Sequence, residues 1–228
     1  MFGRPRNSTP PRVLNLTFHG VGEPSNPIEE AERRVWISSE TLYEVLDLVA
    51  VRDDVRLSFD DGNVSDATIA LPALTERGLT ATFFLVAGRI GRPGFTSADD
   101  VRALVEAEME IGSHGMAHRA WRYLPAAELR SEVLDARAAL EAYVGMPVRA
   151  AACPFGAYDR RVLRALRAAG FDRVFTSDGG LAPPSGWLQP RNTICAGNAS
   201  RVVERLLAQP ASRTSHRRRV ELLTKRWR

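Results

Sequence analysis

Short apolar runs alternate along this chain with longer stretches of mixed polarity, and each pattern predicts its own kind of element. The runs Val13–Phe18, Val55–Phe59, Thr80–Val86, Glu110–Ser113, Val148–Ala152 and Arg173–Thr176, with a weaker one near Leu188–Ile194, read as six or seven strands. The stretches between them read as helices with legible ends. Ser39–Val49 follows serines, Ser97-Ala98-Asp99-Asp100 has the form of a capping box opening a helix to about Glu108, and Pro125 stands in the first turn of Ala126–Val144, which Gly145 closes. Asp159 can cap Arg160–Ala169, closed by Gly170. Residues 66–77 also read as a helix closed by Gly78, though Pro72 should kink or shorten it. Strands alternating with helices predict an α/β architecture, a parallel sheet joined by crossover helices.

Polar residues recur at one place in that pattern. His19 follows the first strand, Asp60-Asp61 the second, His114 the fourth, Cys153-Pro154-Phe155-Gly156 the fifth and Ser177-Asp178 the sixth. In a closed parallel sheet these ends share one face, the face on which (β/α) barrels carry their active sites. Asp60-Asp61-Gly62-Asn63 alone is good turn composition. Because it ends an apolar run and is matched by imidazoles four residues apart, His114 and His118, it reads as part of a metal site. Adjacent residues leaving a strand point in different directions, so one carboxylate can bind a metal while the other addresses the bound water. That set suits metal-assisted hydrolysis.

Composition narrows the class. With 228 residues, 44% hydrophobic and 25% charged, the chain can bury one substantial core and is not a disordered polyelectrolyte. The formal charge of +4 is uneven, because residues 201–228 carry nine Arg or Lys and two acids, which leaves the rest mildly acidic. Of 31 basic residues only Lys225 is lysine, a bias that does not point to nucleic acid. The runs around His216 and Lys225 read as a solvated tail, or more sharply as a contact with an anionic membrane leaflet or polyanion. Cys153 and Cys195 make no disulfide framework, and neither a signal peptide nor a run of transmembrane length is visible. These features lead to the expectation of a cytoplasmic protein, membrane-peripheral if the tail makes that contact.

Phe59-Asp60-Asp61-Gly62, Ser113-His114-Gly115-Met116-Ala117-His118 and Cys153-Pro154-Phe155-Gly156-Ala157-Tyr158 resemble the first three motifs of the polysaccharide deacetylases, hydrolases with a NodB-homology domain. Phe175-Thr176-Ser177-Asp178 is a looser match to the fourth, and the resemblance covers roughly residues 13–195. It implies a single-domain distorted (β/α) barrel of about seven strands at 13–207, between an extended or disordered segment 1–12 and a basic tail 208–228. It further implies Asp60 as general base and Asp61, His114 and His118 as ligands of a divalent ion, zinc by default, with cobalt, nickel or iron as alternatives. Pro154, Phe155, Gly156, Tyr158 and Asp178 would border the substrate, with the Phe155 N–H facing the oxyanion. The implied reaction removes acetyl groups from N-acetylated sugars of an oligo- or polysaccharide or a lipid-linked precursor. Hydrolysis of an O-acetyl ester or a cyclic imide, and a silent carbohydrate-binding module, are the alternatives.

The chain departs from that pattern in three places. The histidine that closes the later motif is missing, but Leu16-Thr17-Phe18-His19-Gly20-Val21-Gly22 resembles the N-terminal segment of a circularly permuted branch that includes the poly-N-acetylglucosamine deacetylases. In that branch the catalytic acid sits on the first strand, which assigns the role to His19. The usual third-motif arginine is replaced by Ala152, so Asp60 is expected to be a somewhat stronger base unless Arg149, Arg191 or another residue substitutes. The fourth motif lacks its usual tryptophan, leaving Trp36, Trp121 or Trp187 to wall the pocket.

Overall fold

The computed structural model describes residues 12–26, 30–197 and 199–208. Residues 1–11 and 209–228, and with them nearly all of the expected N-terminal segment and basic tail, lie outside the described residues.

Strands β1 (Val13–Phe18), β2 (Val55–Asp61), β3 (Ala81–Leu85), β4 (Glu110–Ser113), β5 (Ala150–Ala152) and β6 (Arg173–Thr176) lie side by side in that order, each parallel to the next. All six residues of β1 and all five of β3 are buried. Burial on both faces is why these strands read as unbroken apolar runs without alternation. Side chains still alternate in direction. Phe18, Phe59 and Phe83 stack in one row with ring centroids 5.0 Å apart, while the next residues, Asp60 and Phe84, are strand partners on the opposite face.

The weak run near Leu188–Ile194 closes the sheet. It forms β8 (Leu188–Pro190), parallel to β6, and β9 (Asn192–Thr193), parallel to β1, after a short β7 (Leu181–Ala182) that pairs antiparallel with β1. Arg191 stands at the switch: its N–H donates to Thr176 O at 2.9 Å, and the Ile194 N–H donates to Thr17 O at 2.9 Å. Residues 188–193 therefore act as one split seventh strand, and the barrel is nearly closed.

The helix ends follow the sequence. The Ser97/Asp100 capping box is formed, Ser38 and Asp159 cap Ser39–Val49 and Arg160–Ala168, and Gly145 ends the 126–144 helix in the left-handed region at φ 70°. Pro72 does not shorten its helix; the chain enters through a wide π-turn, Asp66–Ala70, and places the proline at the start of Leu71–Glu76. A second π-turn, Ser131–Asp135, interrupts the 126–144 helix. The helix Ala199–Leu207, which the pattern did not predict, packs on Ser39–Val49. No described helix is long and apolar enough to cross a membrane.

Candidate active site

Because the strands run parallel and in register, their C-terminal ends meet on one face, and a cavity of about 250 Å³ opens there. His19 after β1, Asp60 and Asp61 ending β2, His114 and His118 after β4, Cys153 and Phe155 after β5, and Ser177 after β6 all line it. Trp36, Phe95 and Arg89, the last of these following β3, also line it. Pro154, Gly156, Tyr158 and Asp178 do not border this cavity. Tyr158 is buried and its hydroxyl donates to Asp178 Oδ2 at 2.6 Å, with Thr176 Oγ1 donating to the same oxygen at 2.9 Å. Of the three tryptophans, Trp36 walls the cavity, Trp121 is fully buried, and Trp187 donates to Phe171 O at 2.8 Å beneath Arg167.

Asp61, His114 and His118 place one potential ligand atom each within 4.8 Å of one another. Asp61 Oδ1 lies 3.0 Å from His118 Nε2 and 3.6 Å from His114 Nε2. Ligands about 2.0–2.1 Å from a tetrahedral ion sit about 3.3 Å apart, so the donor set fits. The buried Asp61 Oδ1 thus faces both imidazole Nε2 atoms. At these distances the trio can bind a metal. His114 Nδ1 lies 2.9 Å from Ala152 O; carrying its proton there, the ring turns the Nε2 lone pair toward the cluster. Burial pushes His114 down to about 4, the neutral form a ligand needs. Burial acts to raise the Asp61 carboxyl, but the His118 contact and the imidazoles around it prevail and hold it far below the usual range.

The backbone is bent to make this site. Among the described residues four non-glycine positions take a positive φ, and three are here: Asp61 at 81°, His118 at 53° and Phe155 at 56°. Such strain persists where surrounding structure enforces it.

Asp60 is held differently. Arg191 grips it with two bonds, Nη1 to Oδ1 at 2.6 Å and Nη2 to Oδ2 at 2.7 Å, and both side chains are almost fully buried. Burial tends to raise the Asp60 carboxyl, but Arg191, His114 and His19 outweigh it and the net direction is down. The stronger base expected from Ala152 is thus not found, because Arg191 supplies the missing cation. Arg149 instead pairs with Asp172 at the surface. Ala152 packs with Phe84 and Phe175, the rings over which the Arg191 guanidinium lies at 5.0 and 5.9 Å. Its small side chain leaves that space to a guanidinium arriving from the last strand.

His19 lines the same cavity, with a buried Nδ1 that has no partner among the described residues. Asp66, fully buried, is pushed well up by burial and then by the neighbouring Asp61 and Asp60. Arg89, which no sequence motif singles out, also follows a strand end; its Nη2 lies 3.4 Å from His118 Nδ1 and its Nη1 3.9 Å from Asp61 Oδ1.

Comparison with known proteins agrees with this geometry. A protein of Bacillus subtilis named as a polysaccharide deacetylase, YxkH, is 24% identical over 191 residues, spanning 78% of this chain and 68% of its own. Two solved structures share the fold at low identity. The Streptococcus pyogenes deacetylase PplD in complex with acetate has a TM-score of 0.77 at 16% identity, over 89% of this chain and all of its own. IcaB from Ammonifex degensii has a TM-score of 0.71 at 19% identity, over 86% of this chain and 97% of its own. With the family model for polysaccharide deacetylase matching residues 50–174, more than half of the sequence and the part that carries both aspartates and both clustered histidines, the chain belongs to the polysaccharide deacetylase family.

Proposed function

We propose that this protein is a metal-dependent deacetylase that removes acetyl groups from N-acetylated sugars of an oligo- or polysaccharide or its lipid-linked precursor. The observation that carries this is the buried Asp61 Oδ1 held between two imidazole Nε2 atoms, beside a second, independently anchored carboxylate. Asp61, His114 and His118 would hold the ion, zinc by default for a carboxylate–imidazole set that also suits cobalt, nickel or iron. When bound, such an ion supplies Lewis acidity and lowers the pKa of its water toward about 7.

The protein's own groups do the rest. Asp60 Oδ2, 3.8 Å from His114 Nε2, faces the ligand cluster and takes a proton from the attacking water. From an ordinary Asp pKa of about 3.9 that transfer is uphill by roughly three units, about 4 kcal/mol, and Arg191 makes it somewhat steeper while keeping the base ionised. The Phe155 N–H, in the turn set by Pro154, would meet the oxyanion. His19, protonated, would deliver a proton to the departing amine, which cannot leave as an anion.

The test is acetate release by the metal-reconstituted full chain from panels of N-acetyl and O-acetyl saccharides. Release from N-acetyl sugars, abolished by a chelator and restored by metal, is the expected result. Release from O-acetyl esters alone moves the protein to the esterase reading, and metal binding with no acetate from either panel moves it to the binding-module reading.

A further inference from the structure

Glu132 is a buried carboxylate near the site whose position the proposed chemistry does not explain. It is 3% exposed, yet among the described residues its oxygens are met by N–H donors and by no cation. Oε2 accepts from the Met116 N–H at 3.0 Å and from Trp121 Nε1 at 3.3 Å, and Oε1 accepts from the Ala117 N–H at 3.0 Å. Met116 and Ala117 are two of the three residues between His114 and His118. The third, Gly115, comes so close that a Cβ there would lie 2.3 Å from Glu132 Oε2, and its φ of 87° is one an L side chain rarely adopts.

Two further features point the same way. Glu132 lies in the π-turn Ser131–Asp135, the only irregular turn of the 126–144 helix, and such turns recur where a helix must aim a side chain. His118 holds a left-handed φ of 53°, a conformation that needs support from outside its own residue.

From this we infer that Glu132 is a positioning residue for the metal centre: it clamps the Gly115–Ala117 backbone in the shape that brings His114 and His118 onto Asp61 before any ion arrives. The inference rests on the reading of Asp61, His114 and His118 as metal ligands. A buried carboxylate needs hydrogen-bond donors, and the loop amides need an acceptor; satisfying both at once leaves the loop one conformation. In Glu132→Gln one acceptor oxygen becomes a donor, so at least one amide loses its partner. Glu132→Asp withdraws the carboxylate by one methylene, so that it no longer spans both amides.

The test is the affinity of the full chain for Zn²⁺ and Co²⁺, measured by competition with a chromophoric chelator, alongside urea unfolding of the metal-free protein. Loss of a group that orients ligands weakens metal affinity by about 10–100-fold, the expected result for both variants. A purely structural role would lower the stability of the metal-free protein and leave the affinity of the folded fraction at the wild-type value; that outcome overturns the inference. Amide hydrogen exchange on the wild-type chain covers the case in which neither variant folds. Met116 and Ala117 amides protected without metal support the clamp, and amides that become protected only on loading overturn it. If the wild-type chain itself binds neither ion, the metal reading fails and this inference with it; wild-type binding matched by both variants removes the inference alone.

Discussion

Arg191 and Asp60, 131 positions apart, meet in a buried two-bond pair with N···O distances of 2.6 and 2.7 Å. In Arg191→Met the opposing charge is gone and burial acts on Asp60 with less compensation, so its pKa rises. A general base works ionised, so the acidic limb of kcat/KM should move to higher pH and activity near pH 6 should fall. Breaking one side of a buried pair also costs about 3–5 kcal/mol, visible as a lower urea midpoint. A variant with the wild-type acidic limb would show that Arg191 does not tune this base.

Much of this was legible in the sequence, and the gaps have physical causes. β1, β4 and β6 begin and end where the sequence pattern places them, and β3 and β5 fall within their expected runs. The convergence of His19, the Asp pair and the histidine pair followed from strand ends sharing a face. Arg191 could be named only as one candidate among several, since nothing local says that the last strand splits between two neighbours and turns position 191 inward. Glu132 does carry a signal in the sequence. It stands on the face carrying buried Leu129, Val133, Ala136 and Leu140, where a charge requires partners.

Asp60 and Asp61 should separate cleanly by mutation. Asp61→Ala removes the buried oxygen between the imidazoles and should abolish metal binding and turnover together. Asp60→Asn should retain metal, measured by elemental analysis of the purified protein, while turnover falls by about 10²–10⁴-fold. It also leaves Arg191 buried without its counter-charge, so the variant should unfold at lower urea than the wild type. Loss of metal from Asp60→Asn would contradict the division of roles.

His19→Ala should keep its metal and lose about 10²–10⁴-fold in kcat on an N-acetyl sugar, because an expelled amine needs a proton. On an O-acetyl ester the alkoxide leaves with less help, and the loss should be smaller. Equal losses on both substrates, or near-wild-type turnover on the amide, would remove His19 from the acid role.

His114 predicts a pH dependence for the metal-free fold. Its folded pKa, about 4, lies below the ordinary 6.5, so between those values the unfolded chain binds a proton that the folded protein refuses. Its contribution to stability is therefore complete above about pH 6.5 and declines as pH falls toward 4, by up to about 3 kcal/mol. Asp60 and Asp61, held low, also lose their contributions on acidification, but only below about pH 3.9. Asp66, pushed up by burial, contributes with the opposite sign over the same range, so His114 is read from the difference in urea midpoint between the metal-free wild type and His114→Gln, which should shift against the wild type as pH falls from 6.5 to 4. A difference between the two proteins that stays constant across that range would refute the assignment.

The substitution that restores the family's arginine is expected to harm this protein. Ala152 is fully buried against Phe84 and Phe175, and Arg191 already lies over both rings. Ala152→Arg therefore places two guanidinium groups against one carboxylate in a filled space, where overpacking alone costs about 1–3 kcal/mol. The double variant Ala152→Arg with Arg191→Ala vacates that space and returns one cation to Asp60. Residues sharing a site couple, so the double variant should be more stable than the two single losses added together, and its acidic limb should return toward the wild type. Additive losses would mean that position 152 cannot aim a guanidinium at Asp60 on this backbone, and that the move to residue 191 is fixed by the barrel itself.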